Sequence, residues 1–243
     1  MADSLEYSIH GDSLQFLEIN LQPDQAVIAE AGMMMYLDED VEFSTRFGDG
    51  SDRGMMSKLF SAAKRAMTSE SLFVTHFKNK GSAAAQVAFA APYPGQVIAL
   101  DLSTLSGEII AQKDAFLCAA KGTRLSIAFN RKFGAGFFGG EGFILERLSG
   151  DGLVFLHAGG SIIEKQLNGE KLRVDTGCVV GFEQGIDYDI ALAGGLKSMV
   201  FGGEGMFLTT LEGHGRVWLQ SLPFARLSDR VMENVLHLKR DGE

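Results

Sequence analysis

The chain has 243 residues, 46% hydrophobic and 22% charged, a composition that supports a packed core without disulfides or metals. Its 22 basic residues against 31 acidic ones leave a net charge of −9. That balance speaks against nucleic acid as a partner, because phosphate contacts need a basic face. Thirty glycines with only four prolines and no triplet period exclude collagen and point to many tight turns.

In chain order, the N-terminus reads Met-Ala-Asp-Ser-Leu-Glu-Tyr-Ser-Ile-His. Early acidic residues leave it neither a signal-peptide core nor a basic transit helix. No stretch reaches the roughly 18 uninterrupted apolar residues that a membrane span requires. Residues 53–67 predict an amphipathic helix, with Met55, Met56, Leu59, Phe60 and Met67 on one face and Lys58, Lys64 and Arg65 on the other. Such a helix covers a core or subunit interface, grips a partner, or lies on an anionic membrane surface; the first is favoured. Residues 125–129, 143–148, 170–174 and 187–192 read as short strands bounded by glycine-bearing turns. Asn168-Gly169 predicts a hairpin, since both central residues of such a turn need positive φ. Cys118 and Cys178 lie in apolar runs and form no CxxC, so a reducing, cytoplasmic setting is expected. After Pro223, Phe224, Leu227, Val231, Val235 and Leu238 recur at helical steps and predict a C-terminal helix over 223–238.

The chain also resembles itself. Residues 139–156 lie over residues 202–219 without a gap, and ten of the 18 positions are identical. They include Gly139/Gly202, Gly140/Gly203, Glu141/Glu204, Gly142/Gly205, Gly150/Gly213 and Gly152/Gly215, all at one constant offset. A fainter third copy begins at Ser69-Glu70-Ser-Leu-Phe-Val74. The expected fold is mostly β. It has three tandem sandwich-like repeats (about 1–100, 101–166 and 167–222) in one compact domain, 1–243, with seams rather than linkers between them.

Several of these segments carry a resemblance. Arg65-Ala-Met-Thr-Ser-Glu70-Ser-Leu-Phe-Val74, Ala115-Phe-Leu-Cys118, Gly140-Glu-Gly-Phe-Ile144, Ser149-Gly-Asp-Gly152, Val174-Asp-Thr-Gly177 and Gly203-Glu-Gly205 span about residues 65–220. In that order and spacing the chain resembles the altered-inheritance-of-mitochondria family, a mitochondrial biogenesis family. The resemblance implies repeated β units similar to the tryptophan RNA-binding attenuation protein. By that analogy one chain supplies three ring units and three chains a ring of nine. It implies no particular reaction.

Each candidate site has a plain structural counterpart. Gly134-Ala-Gly136-Phe-Phe-Gly139 matches GxGxxG but is followed by a strand rather than a helix, so a turn explains it better. Asp175-Thr176-Gly177 resembles the aspartic-protease triplet, but one copy per chain leaves no second carboxylate, and Asp175 is expected to accept backbone N–H bonds in a turn. His10, His76, His157, His214 and His237 show no ligand spacing, so no metal and no cofactor are expected. Glu70, Glu141 and Glu204 repeat at one place in each copy and are the candidate ligand-binding carboxylates, although repeat packing explains them as well. The function expected is a non-catalytic, ring-like assembly or binding module, a homotrimer whose partner is first of all itself. The alternative is a small-ligand binder or enzyme with a site at the repeat seams near Glu141 and Glu204.

Overall fold

A computed structural model describes residues 4–47, 73–131, 143–193 and 206–240. The strands in the first part are β1 (Glu6–His10), β2 (Phe16–Leu21), β3 (Ala26–Glu30), β4 (Met34–Leu37), β5 (Val41–Phe47), β6 (Phe73–Asn79) and β7 (Ala85–Phe89). The middle holds β8 (Gly95–Asp101), β9 (Glu108–Gln112), β10 (Phe116–Ala120), β11 (Arg124–Arg131), β12 (Phe143–Ser149) and β13 (Leu153–Gly159). The last part holds β14 (Ile162–Asp175), β15 (Val179–Glu183), β16 (Ile186–Ala193) and β17 (Met206–Gln220), then helix α1 (Phe224–Arg240). The fold is mostly β with a C-terminal helix, as the alternation and the Pro223 boundary predict. The helix expected over 53–67, with Met55, Met56, Leu59, Phe60 and Met67, lies outside the described residues. So do Glu70, Glu141, Glu204 and the segment 134–139.

Three antiparallel sheets run in the orders β1-β2-β7-β4, β5-β6-β3-β10-β13-β8 and β11-β12-β9-β15-β17-β14, with β16 also on β17. Among the described residues the buried apolar side chains gather in three clusters, between the first and second sheets, between the second and third, and within the third. β2 shows the simple case, with Leu17, Ile19 and Leu21 fully buried and the residues between them half-buried. β10 is buried at every position, because Leu117, Cys118 and Ala120 face one cluster while Phe116 and Ala119 face the next. A strand covered on both faces loses its alternation and reads as a continuous apolar run. Each fully buried Phe in these layers, such as Phe89, Phe116 or Phe155, stabilises the fold by roughly 2 kcal/mol.

The offset that lays Gly139 on Gly202 carries into the sheet register. Glu146 faces Ala111 on β9 and Ile127 on β11; Thr209 faces Val174 on β14 and Ile190 on β16. Phe116 and Cys118 face Leu156 and Phe155 across a bulge, and Val179 and Gly181 face Leu219 and Trp218 across another. The short 3-10 turns Lys113–Ala115 and Thr176–Cys178 fall at the same spacing.

The hairpin expected at Asn168-Gly169 does not form. The two residues lie inside β14, where the register slips between Asn168↔His214 and Lys171↔Glu212. Gly169 has φ +104, so the positive φ is there, but it serves a bulge that bends a continuing strand rather than reversing it. Gly213, opposite, completes the bend: its φ is +135, and a Cβ there would collide with the Gly185 carbonyl oxygen. The bend lets the long β14–β17 pair wrap one core, as corners do where strands turn from one sheet layer into another. No helix among the described residues is long and apolar enough to cross a membrane.

Candidate functional site

A cavity of about 420 Å³ opens where three chain corners meet under the start of α1. The first corner, at the end of β3, supplies Glu30, Ala31 and Met33; the second, at the end of β9, supplies Gln112, Lys113, Asp114 and Ala115. The third supplies Gly177, and Phe224, Ala225 and Ser228 of α1 form a side, with Pro92, Tyr93, Ile144, Gln220 and Pro223 closing the rest.

Helix α1 begins here because Pro223, three residues past the end of β17, fixes the first turn, whose Leu227 N–H reaches the Pro223 carbonyl at 3.4 Å. Arg226 ties the helix to the third corner, its Nη2 donating to Asp175 Oδ2 at 2.7 Å. The other oxygen of Asp175 accepts the Gly177 N–H at 2.9 Å, which is the turn-capping role expected of that residue. Gln220 is buried and bonded at both polar atoms: Oε1 accepts the Gly159 N–H at 2.7 Å and Nε2 donates to the Gly177 carbonyl at 2.8 Å. Tyr93 lies 5.2 Å from Phe224 and edge-on to His157 at 4.6 Å, so the aromatic wall joins β13 to the helix.

Against this satisfied side stands an unsatisfied one. Gln112 is only 8% exposed, and its Oε1 has no hydrogen-bond partner among the described residues. Glu146 is 1% exposed and neither carboxylate oxygen has such a partner. It lies within electrostatic reach of Glu30, Lys113 and Asp114, and burial, reinforced by the Glu30 charge, pushes its pKa up to about 8. At neutral pH this acid is mostly protonated. His157 Nδ1 is likewise buried without a partner among the described residues, and desolvation lowers its pKa to about 4, so its ring is neutral. Burial also pushes up the Cys118 thiol, and burial with the Asp175 charge raises Cys178, so neither is primed as a nucleophile.

Sequence reasoning did not single out Glu146 or Gln112. A signal for Glu146 existed: it interrupts the apolar run Phe143-Ile-Leu-Glu-Arg-Leu148, and the residue that the repeat lays over it is Thr209. No group of three or more His, Cys, Asp or Glu among the described residues is arranged to hold a metal ion.

Comparison with known proteins finds similarity both in sequence and in fold. The chain is 33% identical over 215 residues to an uncharacterised protein of Streptococcus pyogenes serotype M6, covering 86% of this chain and 83% of that one. It is also similar to the X-ray crystal structure of a Streptococcus pyogenes protein, with a TM-score of 0.75 at 25% identity, over 95% of this chain and 99% of that one. Residues 7–222 match the family described as mitochondrial biogenesis AIM24. The chain therefore belongs to the mitochondrial biogenesis AIM24 family.

Proposed function

We propose that the protein is a non-catalytic assembly module, built from three copies of one six-strand unit and joined head-to-tail to two further chains. The copies run β2 to β7, β8 to β13, and β14 to β17 with the long strands counted as two halves each. The observation that carries this reading is the pattern of seams. β10 joins β13 of its own unit to β3 of the preceding one, and β15 joins β17 to β9 in the same way. By that pattern β4, the matching strand of the first unit, would join β7 to the second half of a β14. It pairs with β7, and the sheet order ends there among the described residues.

The outer edge of β4 carries Met34, Met35 and Tyr36, all exposed. An apolar edge strand of this kind calls for a partner. Pairing β4 of one chain with β14 of the next joins two different edges, an arrangement that closes into a ring when the rotation permits. Three chains of three units give the nine-unit ring. A cytoplasmic setting accords with free thiols at Cys118 and Cys178.

Native mass spectrometry of the full chain at micromolar concentration tests this reading. A trimer is expected, and Met35→Lys, which places a charge on an exposed edge position, should raise its dissociation constant at least tenfold. A monomer at all concentrations, or a trimer indifferent to Met35→Lys, would remove the seam argument.

A further inference from the structure

We infer that β4 of one chain adds to the second half of β14 of another in one fixed register. Tyr36 lies opposite Val174 of the second chain, Leu37 opposite Arg173, and Glu39 opposite Lys171. The register rests on the head-to-tail assembly proposed above, and it names the residues of the two copies that meet.

Two half-sheets in the chain lack what two complete sheets have. The second sheet joins β5-β6-β3 of one unit to β10-β13-β8 of the next, and the third joins β11-β12-β9 to β15-β17-β14. β16, the first half of β17 and the second half of β14 form the corresponding trio of the third unit. Its β14 edge pairs with β17 alone among the described residues. The trio β4-β7-β2 of the first unit has β4 at its open end. Each half supplies the edge that the other needs, so the occupant is a second copy of this chain.

The two seams inside the chain set the register. Across the first, Cys118 faces Ala29, Ala119 faces Ile28 and Ala120 faces Val27. Across the second, Gly181 faces Ala111, Phe182 faces Ile110 and Glu183 faces Ile109. Cys118 and Gly181 each stand just past a bulge, facing Phe155 and Trp218 of their own unit. Tyr36 stands just past a third bulge, facing Ala88. Val174 lies one repeat period after Ala111, so Tyr36 and Val174 are the matching pair. Beyond β10 the seam continues, where the Lys121 N–H reaches the Ala26 carbonyl at 3.2 Å, and the matching pair there is Glu39 and Lys171. A side-chain period of two makes such a register strict wherever one face is buried.

The side chains brought together are complementary. Cys118 and Ala29 share one apolar cluster. Val174 belongs to the third cluster, whose margin residues Leu172 and Tyr188 are only partly buried, and Tyr36 laid against Val174 covers that margin. Asp38 and Glu39 end β4, while Lys171 and Arg173 stand on the open edge of β14, all four exposed. Glu39 and Arg173 enter no ion pair among the described residues. Lys171 holds Glu212 of its own chain at 3.0 Å, so Glu39 meets a cation already fixed in place, with Arg173 at the diagonal position. Glu170, the nearest acid on that strand, accepts the Asn168 N–H of its own bulge at 2.8 Å.

The full chain carrying Glu39→Cys and Lys171→Cys tests the register, both substitutions being at exposed positions that leave the core intact. Directly opposed residues of antiparallel strands have Cα atoms about 5.5 Å apart, within disulfide reach, whereas residues offset by two are about 7–8 Å apart. After mild oxidation with copper phenanthroline, most of the protein should run on a non-reducing gel as covalent multimers that reduction dissolves. Each single variant, which reports any crosslink through Cys178, should stay monomeric on the gel. So should Glu39→Cys combined with Lys165→Cys, on the first half of β14, and Glu39→Cys combined with Arg173→Cys should crosslink far less. Native mass spectrometry of the same samples separates this inference from the assembly beneath it. An oligomer without the Glu39–Lys171 crosslink, or one that crosslinks better through Arg173 or Lys165, overturns the register and leaves the assembly standing. A monomer at all concentrations overturns both.

Discussion

Glu146 and Thr209 occupy matching places in the sheet register, one between Ala111 and Ile127, the other between Val174 and Ile190. Both are buried, at 1% exposure each, and they meet opposite fates. Thr209 Oγ1 donates to Thr176 Oγ1 at 3.0 Å, and Asp175 next door is held by Arg226 and by Gly177. At the other corner the positions one repeat earlier carry Glu146, Lys113 and Gln112, and the carboxyl and the amide oxygen go without partners among the described residues. One backbone arrangement thus holds a closed corner and an open one. A buried acceptor without a donor costs about 1–3 kcal/mol, so the open corner gives up stability that the closed one keeps.

Two backbone bends at matching positions of the chain differ as well. Gly150 and Gly213 are equivalent positions of the repeat. A Cβ on Gly213, at φ +135, would collide with the Gly185 carbonyl oxygen, whereas one on Gly150 would meet nothing closer than Thr123 Cα at 3.4 Å. Gly213→Ala should therefore cost about 3 kcal/mol or more, as backbone atoms must separate and the residue takes a disfavoured conformation. Gly150→Ala should cost about 1–2 kcal/mol, from the positive φ of +159 alone, since no backbone atom there has to separate. Urea unfolding of both variants measures the difference, and equal losses would mean that the close approach of Gly185 to Gly213 does not set the two bends apart.

The open corner predicts a pH signature. The Glu146 pKa rises from 4.5 unfolded to about 8 folded, so between these values the folded state holds a proton that the unfolded state has released. Stability from this group is intact below pH 4.5 and is lost as pH climbs through the folded value. The loss approaches roughly 5 kcal/mol, taking about 1.4 kcal/mol per unit. Glu146→Gln removes the ionisation, so wild type and variant should diverge steadily between pH 4.5 and 8, with the variant ahead at the alkaline end. His157 acts in the opposite sense in both proteins: its pKa falls from 6.5 to about 4, and its contribution fades as pH drops through that window. Chemical denaturation at half-unit pH steps checks this, and parallel curves for the two proteins would show that Glu146 does not titrate as its burial demands.

How much of this was legible beforehand follows from where the information resides. The strands of the third sheet showed in short-range alternation, and α1 in Pro223 and the spacing of Phe224, Leu227 and Val231, because both signals are local. The repeat period also showed, since identical residues need no structure to be aligned. Asn168-Gly169 misled because local chemistry fixes the sign of φ but not whether the chain reverses; β17 running alongside decides that. Gln112 and Glu146 were hidden for a related reason. Their burial comes from layers distant in sequence, and a Glu in a strand ordinarily reads as facing water. The candidate carboxylates Glu70, Glu141 and Glu204 came from the repeat alone, and they lie outside the described residues.

The smallest expected effect tests what holds the closed corner to the helix. Arg226 and Asp175 are both partly exposed, with side chains 52% and 33% accessible, so solvent screens their attraction. Arg226→Ala should lower global stability by only about 0.5 kcal/mol, within the usual range for such pairs. Its local consequence is larger in kind, because Asp175 then becomes an acceptor without its cation and so comes to resemble Gln112. Hydrogen exchange at the first turn of α1 should rise several-fold while the strands of the third sheet stay protected. Unchanged exchange at the helix start would mean that Phe224 packing on Tyr93, not the ion pair, seats α1 on the corner.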